Sequence, residues 1–260
     1  MSIKHLISNL VFPPKCSNCN SFLDIDIKSK AIDTLCPACR VQYESEKQRE
    51  CAICGLSMRF CRCMPKNMER AQCSGLLKLL SYRPQDESFP IRQFVYSVKR
   101  YDDRIYFDFV AEQMRELLIA EMRSRSLMPQ DCVITYLPRA AKNLAEHGFD
   151  QGNSLARSLS RITGIQFVDC FKRKLFTEEQ KNLNQYERRL NMRSAYEILD
   201  VEELIEYRTV ILVDDIVTTG SSMAACARLA FSRGAYDVIG ICIGLTEKEK
   251  NIYKNKRRND

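Results

Sequence analysis

Along the second half of the chain the apolar residues alternate between two spacings. Phe107 to Arg125 repeats them at helical intervals and meets Pro129 as a stop. Cys132 to Leu137 is a continuous apolar run ending at Pro138, the pattern of a buried strand. Gly152 to Ile162 returns to helical spacing and ends before Gly164. Thr209 to Val213 (TVILV) is apolar and β-branched throughout, which suits a strand covered on both faces. Ser222 to Arg233 reads as a helix closed by Gly234 at a left-handed position, and Val238 to Ile243 as the next strand. Strand, helix and strand joined by short connections predict right-handed crossovers and a mostly parallel sheet. The expected fold class is α/β, with helices flanking that sheet.

The first seventy residues carry a different signal. Eight of the thirteen cysteines lie between Cys16 and Cys63, with Cys73 just beyond, while Cys132, Cys170, Cys226 and Cys242 stand singly in apolar surroundings as small hydrophobes. The expected division is a cysteine-rich region over 1–70, an α/β domain over 71–247 and a basic tail over 248–260, the tail solvated and mobile. Met1 to Pro14 carries Lys4 and His5 and runs into Pro13-Pro14-Lys15, so it reads as an amphipathic helix on its own domain rather than a secretory signal. His5 is read as a surface residue. No run of 18 uncharged apolar residues occurs, which excludes a membrane span by sequence. A cytoplasmic location follows from these readings. Apolar residues make up 45% of the chain, enough for a buried core.

Cysteine spacing decides between disulfides and metal. Cys16-x2-Cys19 and Cys36-x2-Cys39 form one foursome, and Cys51-x2-Cys54 with Cys61-x-Cys63 a second. A two-residue gap lets two thiolates reach one ion from a tight turn, and tetrahedral Zn²⁺ then needs a second pair. Sequential and interleaved pairing both satisfy these spacings. A closed four-thiolate site has a structural role, and a region with so few large hydrophobes needs it. The metal also changes the electrostatic picture. The formal charge is +7, and two four-thiolate zinc sites of −2 each lower it to +3. Net charge is therefore a poor argument for nucleic acid.

The most informative stretch is Val210-Ile-Leu-Val-Asp-Asp-Ile-Val-Thr-Thr-Gly-Ser-Ser222. An apolar strand delivers two carboxylates, then a small hydroxyl-rich turn, then a helix. Asp214 and Asp215 are acceptors suited to vicinal ribose hydroxyls. Thr218, Thr219, Gly220, Ser221 and Ser222 suit a monophosphate, held by backbone N–H groups, hydroxyls and a helix N-terminus. The Gly-Lys-Ser/Thr element of a P-loop is missing.

This stretch resembles the 5-phosphoribosyl diphosphate (PRPP) motif of type I phosphoribosyltransferases. More narrowly, the chain resembles the ComF family of bacterial competence and DNA utilisation. The resemblance rests also on Leu10-Val-Phe-Pro-Pro-Lys-Cys-Ser-Asn-Cys19, Leu137-Pro138, Gly148-Phe149-Asp150-Gln151 and the Thr177 to Tyr196 segment. It implies that Asp214 and Asp215 hold the ribose and serve any catalysis, and that Thr218 to Ser222 hold the 5′-phosphate. It implies pyrophosphate binding at Pro138 and Arg139 in the turn from Tyr136. Arg173, Lys174, Gln180, Arg189 and Asn191 would belong to a mobile loop closing over the ligand. Mg²⁺ would accompany PRPP. Single-stranded DNA and a competence helicase or other DNA-processing protein are the implied partners. Family members place an arginine before the Gly-Phe pair, whereas this chain has His147, which is mostly neutral at pH 7.

Charge supports the loop independently, because Lys172 to Arg193 holds seven Lys/Arg against three Asp/Glu. Three functions of different class remain open from sequence: a transferase releasing pyrophosphate, a non-catalytic PRPP-binding module that handles single strands through finger and loop, and a structural zinc adaptor whose α/β domain binds nothing, which leaves the Asp214 to Ser222 strand end unexplained. Tyr82, Phe94 and Tyr101 are candidate stacking residues for the module, although aromatics in a chain of this size are more often core.

Overall fold

The computed structural model describes residues 13–23, 34–97, 104–139, 148–174, 195–201, 206 and 208–247. The expectations for the N-terminal helix, the basic tail, Tyr101, His5 and His147 lie outside them.

A cysteine-bearing turn at Cys16–Asn20 opens the described chain, followed by α1 (Pro37–Gln48), a second such turn at Cys51–Gly55 and the short α2 (Lys66–Glu69). Next come β1 (Gly75–Tyr82), α3 (Arg92–Ser97) and the long α4 (Arg104–Ser124). Then β2 (Cys132–Tyr136), α5 (Gln151–Thr163), β3 (Gln166–Phe167), β4 (Phe171–Arg173) and β5 (Tyr196–Ile198) alternate. The chain closes with β6 (Thr209–Val217), α6 (Ser221–Ser232) and β7 (Asp237–Thr246).

Five strands form one sheet in the order β1-β7-β6-β2-β3, and every neighbouring pair is parallel. β4 and β5 pair antiparallel as a separate ribbon. The α/β class with a mostly parallel, helix-flanked sheet and an N-terminal cysteine-rich region is thus the observed one. A parallel sheet needs cover on both faces, and strand alternation supplies it. Ile211, Val213, Ile239 and Ile241 face the layer of α4 and α5, whereas Val210, Leu212, Val238 and Cys242 face α6. Helix α6 lies close because its buried face is small: Ala224, Ala225, Ala227 and Ala230. Helix α5 starts at the Asp150 cap, whose carboxylate accepts from the Asn153 N–H, and stops at Gly164.

Sequence spacing predicts no strand at β1, yet all eight of its residues are buried, Lys78 among them. Among the described residues the Lys78 ammonium makes no ion pair with a carboxylate; it donates to the carbonyls of Cys61 (3.2 Å) and Cys63 (2.9 Å) and lies against the Cys61 sulfur. A buried ammonium is costly unless negative charge lies close by. No helix among the described residues is long and apolar enough to cross a membrane.

Candidate functional site

Strand β6 does not end at Val213 as its apolar run suggests; it continues to Val217, so both carboxylates sit inside the strand. Alternation then turns the two side chains to opposite faces. Asp215 is buried and forms an ion pair with Arg139, which follows β2. Asp214 lies on the α6 side near Cys226 and Tyr196, which burial pushes up and the Asp214 charge pushes further. Burial pushes the Asp214 carboxyl well above the usual carboxylate range, and the neighbouring Asp215 charge adds to this. The Asp215 backbone N–H, donating to Asp214 Oδ1 at 2.9 Å, works in the other direction.

Beyond Val217 the chain turns through Thr218 and Thr219, both exposed, to Gly220. Gly220 is the N-cap of α6 with φ 66°, and no side chain caps the helix. A glycine cap leaves first-turn N–H groups without the usual Ser/Asp acceptor. Around them stand hydroxyls already in contact: Thr219 Oγ1 lies 3.0 Å from Ser221 Oγ, and Thr218 Oγ1 lies 3.3 Å from Thr246 Oγ1. Ser222 is half-buried on the first turn. The bare face of Gly220 is turned to protein: a Cβ there would lie 2.8 Å from Met68 Cγ and 3.1 Å from Pro65. Glycine is therefore required twice at this point, by its positive φ and by the close approach of the segment before β1.

Arg139 links this strand to a second surface. Its backbone N–H donates to Asp150 Oδ2 at 2.9 Å, which fixes the turn after Pro138 against the start of α5. A cleft of about 620 Å³ opens on the far side of Arg139, lined among others by Tyr136, Pro138, Asp169, Lys172 and Arg173. Burial pushes the Asp169 carboxyl upward there. The cleft is not over the hydroxyl turn, so the described cavity and the β6–α6 turn are neighbouring surfaces with Arg139 between them. Arg173 donates to the Tyr196 hydroxyl at 3.2 Å, and Lys174 N–H to Ala195 O at 2.9 Å, so the ribbon brackets residues 175–194. Gln180, Arg189 and Asn191 lie outside the described residues. Tyr82 and Phe94 are core side chains, 6% and 0% exposed, so the stacking role considered for them is overturned by burial.

Eight cysteines gather as two groups, Cys16, Cys19, Cys36 and Cys39, and Cys51, Cys54, Cys61 and Cys63, with all ligand atoms of a group within 4.8 Å of one another. Pairing is sequential. Sulfurs in both groups accept N–H bonds, from Asn18 Nδ2 to Cys39 and from the Ile53 amide to Cys51, each at 3.4 Å. Four thiols converging on one point, with donors facing the sulfurs, fit a closed metal site.

One contact had no signal in the sequence. Asn67 Nδ2 donates to Thr219 O (3.0 Å) and to Ser221 Oγ (2.9 Å) across more than 150 positions. No local spacing relates the two segments.

Comparison with known proteins follows the same lines. No family model matches the chain. Competence protein F of Haemophilus influenzae is 23% identical over 226 residues, covering 86% of this chain and 93% of that protein. The ComF resemblance is borne out. The DNA utilization protein YhgH of Escherichia coli O157:H7 is 30% identical over 139 residues, 52% of this chain. That match spans 60% of the YhgH length. A purine phosphoribosyltransferase from Pyrococcus horikoshii Ot3 is 13% identical over 53% of this ComF-like chain and 83% of its own. Its TM-score of 0.31 is too low to carry an argument.

Proposed function

We propose that this chain is a ComF-type protein that binds PRPP with Mg²⁺ at the β6–α6 turn and acts in DNA uptake or utilisation. The observation that carries the reading is the start of α6: a glycine cap with no side-chain acceptor, surrounded by the hydroxyls of Thr218, Thr219, Ser221 and Ser222. First-turn N–H groups, of which Ser221 N–H has Thr219 Oγ1 at a long 3.4 Å, meet hydroxyl donors and a positive helix end, which is the chemistry of a phosphate. Asp214 and Asp215 would accept from the ribose hydroxyls.

Arg139 is paired with Asp215 in the unliganded chain. A diphosphate would draw the guanidinium to itself through bidentate hydrogen bonds and release Asp215 to the sugar. Lys172 and Arg173 line the cleft beside it and add positive charge. Asp215 is committed to Arg139, so Mg²⁺ would arrive on the diphosphate, the ligand it favours. There it would neutralise the leaving group of a displacement at the anomeric carbon. Asp214 and Asp215 would stabilise the positive charge developing on the ribose. The eight clustered cysteines would hold two structural Zn²⁺ ions.

A second reading has its own observation. Phe22 (66% exposed) and Phe60 (63%) stand on the cysteine turns beside Lys15 and Arg59, whose charged groups lie 5.3 and 5.9 Å from the rings. Exposed aromatic rings beside cations suit stacked bases and a phosphate backbone. In this reading the chain binds PRPP without turnover and handles single strands.

Calorimetric titration of PRPP with Mg²⁺ into the metal-loaded protein tests the site. Micromolar binding is expected, and Asp214→Asn with Asp215→Asn should abolish it while metal content stays at two per chain. Unchanged affinity in the double variant removes both carboxylates from the site. Turnover of PRPP with a nucleobase selects the transferase; salt-sensitive binding of single-stranded DNA without turnover selects the module.

A further inference from the structure

The segment leaving the second cysteine group runs straight into the hydroxyl turn. Cys63 is followed by Met64, Pro65 and the single turn of α2, and this short stretch meets Gly220 from below. Pro65 and Met68 occupy the space a Cβ at Gly220 would need, and Met68 is fully buried, its Cε reaching the bare face of Gly240 in β7. Upstream, Lys78 of β1 holds the carbonyls of Cys61 and Cys63. The segment is thus fixed at both ends, by the sheet at Lys78 and Met68 and by the cysteine group at Cys63.

Its polar contribution is Asn67, and the direction of the hydrogen bonds matters. Nδ2 can only donate. Thr219 O and Ser221 Oγ must therefore accept, at 3.0 and 2.9 Å. A hydroxyl that accepts from Asn67 keeps its own proton for another acceptor, here Thr219 Oγ1 or an incoming anion. Asn67 also occupies the Thr219 carbonyl, which removes one acceptor from the turn. Both effects make the turn a better anion site before any ligand arrives.

We infer that Asn67, carried by the cysteine-rich region, is a positioning residue that sets Ser221 as a hydrogen-bond donor to the 5′-phosphate. The inference rests on the PRPP reading and adds a residue to it that touches neither ribose nor diphosphate. Its signature is selectivity. Asn67 acts on the phosphate turn alone, so changing it weakens ligands that carry a 5′-phosphate and leaves pyrophosphate, which engages Arg139, untouched.

The experiment titrates the metal-loaded full chain with PRPP, ribose 5-phosphate and pyrophosphate, each with Mg²⁺, for wild type, Asn67→Ala, Asn67→Asp and the exposed neighbour Glu69→Gln. Asn67→Ala should weaken PRPP and ribose 5-phosphate by roughly three- to tenfold. Asn67→Asp should weaken them by on the order of a hundredfold, because a carboxylate repels phosphate and turns the Ser221 proton toward itself. Pyrophosphate affinity and the Glu69→Gln protein should match wild type. No loss in Asn67→Ala, or an equal loss for all three ligands, overturns the inference. If wild type binds none of the three, the parent reading fails instead. Amide exchange at 218–222 in the unliganded proteins then decides whether Asn67 holds the turn: faster exchange in Asn67→Ala is expected, and unchanged exchange rejects it.

Discussion

Cys16–Asn20 and Cys51–Gly55 are nearly the same turn. In each, the amide of the residue after the second cysteine closes back on the first: Asn20 N–H donates to Cys16 O at 2.9 Å, and Gly55 N–H to Cys51 O at 2.8 Å. Each turn ends on a residue of positive φ, 62° at Asn20 and 73° at Gly55. A single antiparallel bridge flanks each, Lys15 with Phe22 and Glu50 with Ser57. Their surroundings differ. Cys16 and Cys39 share one core with Tyr43, Phe94 and the α4 layer, and Asn18 ties the first turn to Pro90 O (2.7 Å) and the Phe94 amide (3.1 Å). Cys51 and Cys61 have only Met58 and Cys63 as a core of their own, and hold the rest of the chain through polar contacts. Arg62 meets the buried Glu121 at 2.6 Å, and Lys78 meets two cysteine carbonyls. One arrangement of four cysteines thus serves two kinds of attachment, apolar packing on a helix layer and charged pinning to a sheet edge that leads to the hydroxyl turn.

The largest effect should separate the two groups directly. Cys39→Ser and Cys54→Ser should each remove one metal per chain, read by elemental analysis. Because Cys39 belongs to the main core, its variant should lose on the order of 10 °C in Tm, against a few degrees for Cys54→Ser. Equal losses would erase the distinction between core and edge. A sharper cut uses Lys78→Met. With metal bound, the second group carries negative charge facing the ammonium, and losing the ammonium should cost about 3 kcal/mol. After chelation that charge is gone and the ammonium is a buried liability, so the same substitution should be neutral or stabilising by denaturant titration. Loss of stability of equal size in both states would show that Lys78 serves only the carbonyls.

The smallest effect concerns the site itself. Asp214 is raised, so the folded chain holds its proton more tightly than the unfolded chain does. Its contribution to stability is complete below the unfolded carboxylate pKa and is lost as pH rises through the higher folded value. Asp214→Asn should therefore raise Tm by about 2 °C at neutral pH, with the gain vanishing in acid. A gain that persists at low pH would assign the effect to packing rather than charge.

Much of this architecture is legible from residue spacing. β6, α6 and β7 follow from apolar runs and Gly234, whose φ is 83°, because burial on both faces leaves an uninterrupted apolar run in each strand. β1 is not legible. A lysine in the middle of Gly75–Tyr82 argues against burial, and its acceptors come from the second cysteine group, which no local pattern connects to it. The site divides in the same way. The hydroxyl turn reads directly from Thr218 to Ser222, whereas the opposite-facing carboxylates depend on β6 continuing past Val213, through residues that register with Cys242, Gly244 and Leu245 of β7. Asn67 and the packing of Pro65 on Gly220 depend on tertiary contact alone.

The pairing of β1 with β7 has a consequence for how the chain is made. Its strand partner, Asp237–Thr246, is the last of the sheet to be synthesised. At ordinary elongation rates β1 waits on the order of ten seconds for that partner. During this interval an apolar strand would be free to associate with other nascent chains. Both cysteine groups lie upstream and have already left the ribosome, and the second presents the two carbonyls that Lys78 binds. The Lys78 side chain can therefore find its carbonyl partners at Cys61 and Cys63 well before the backbone of β1 finds β7.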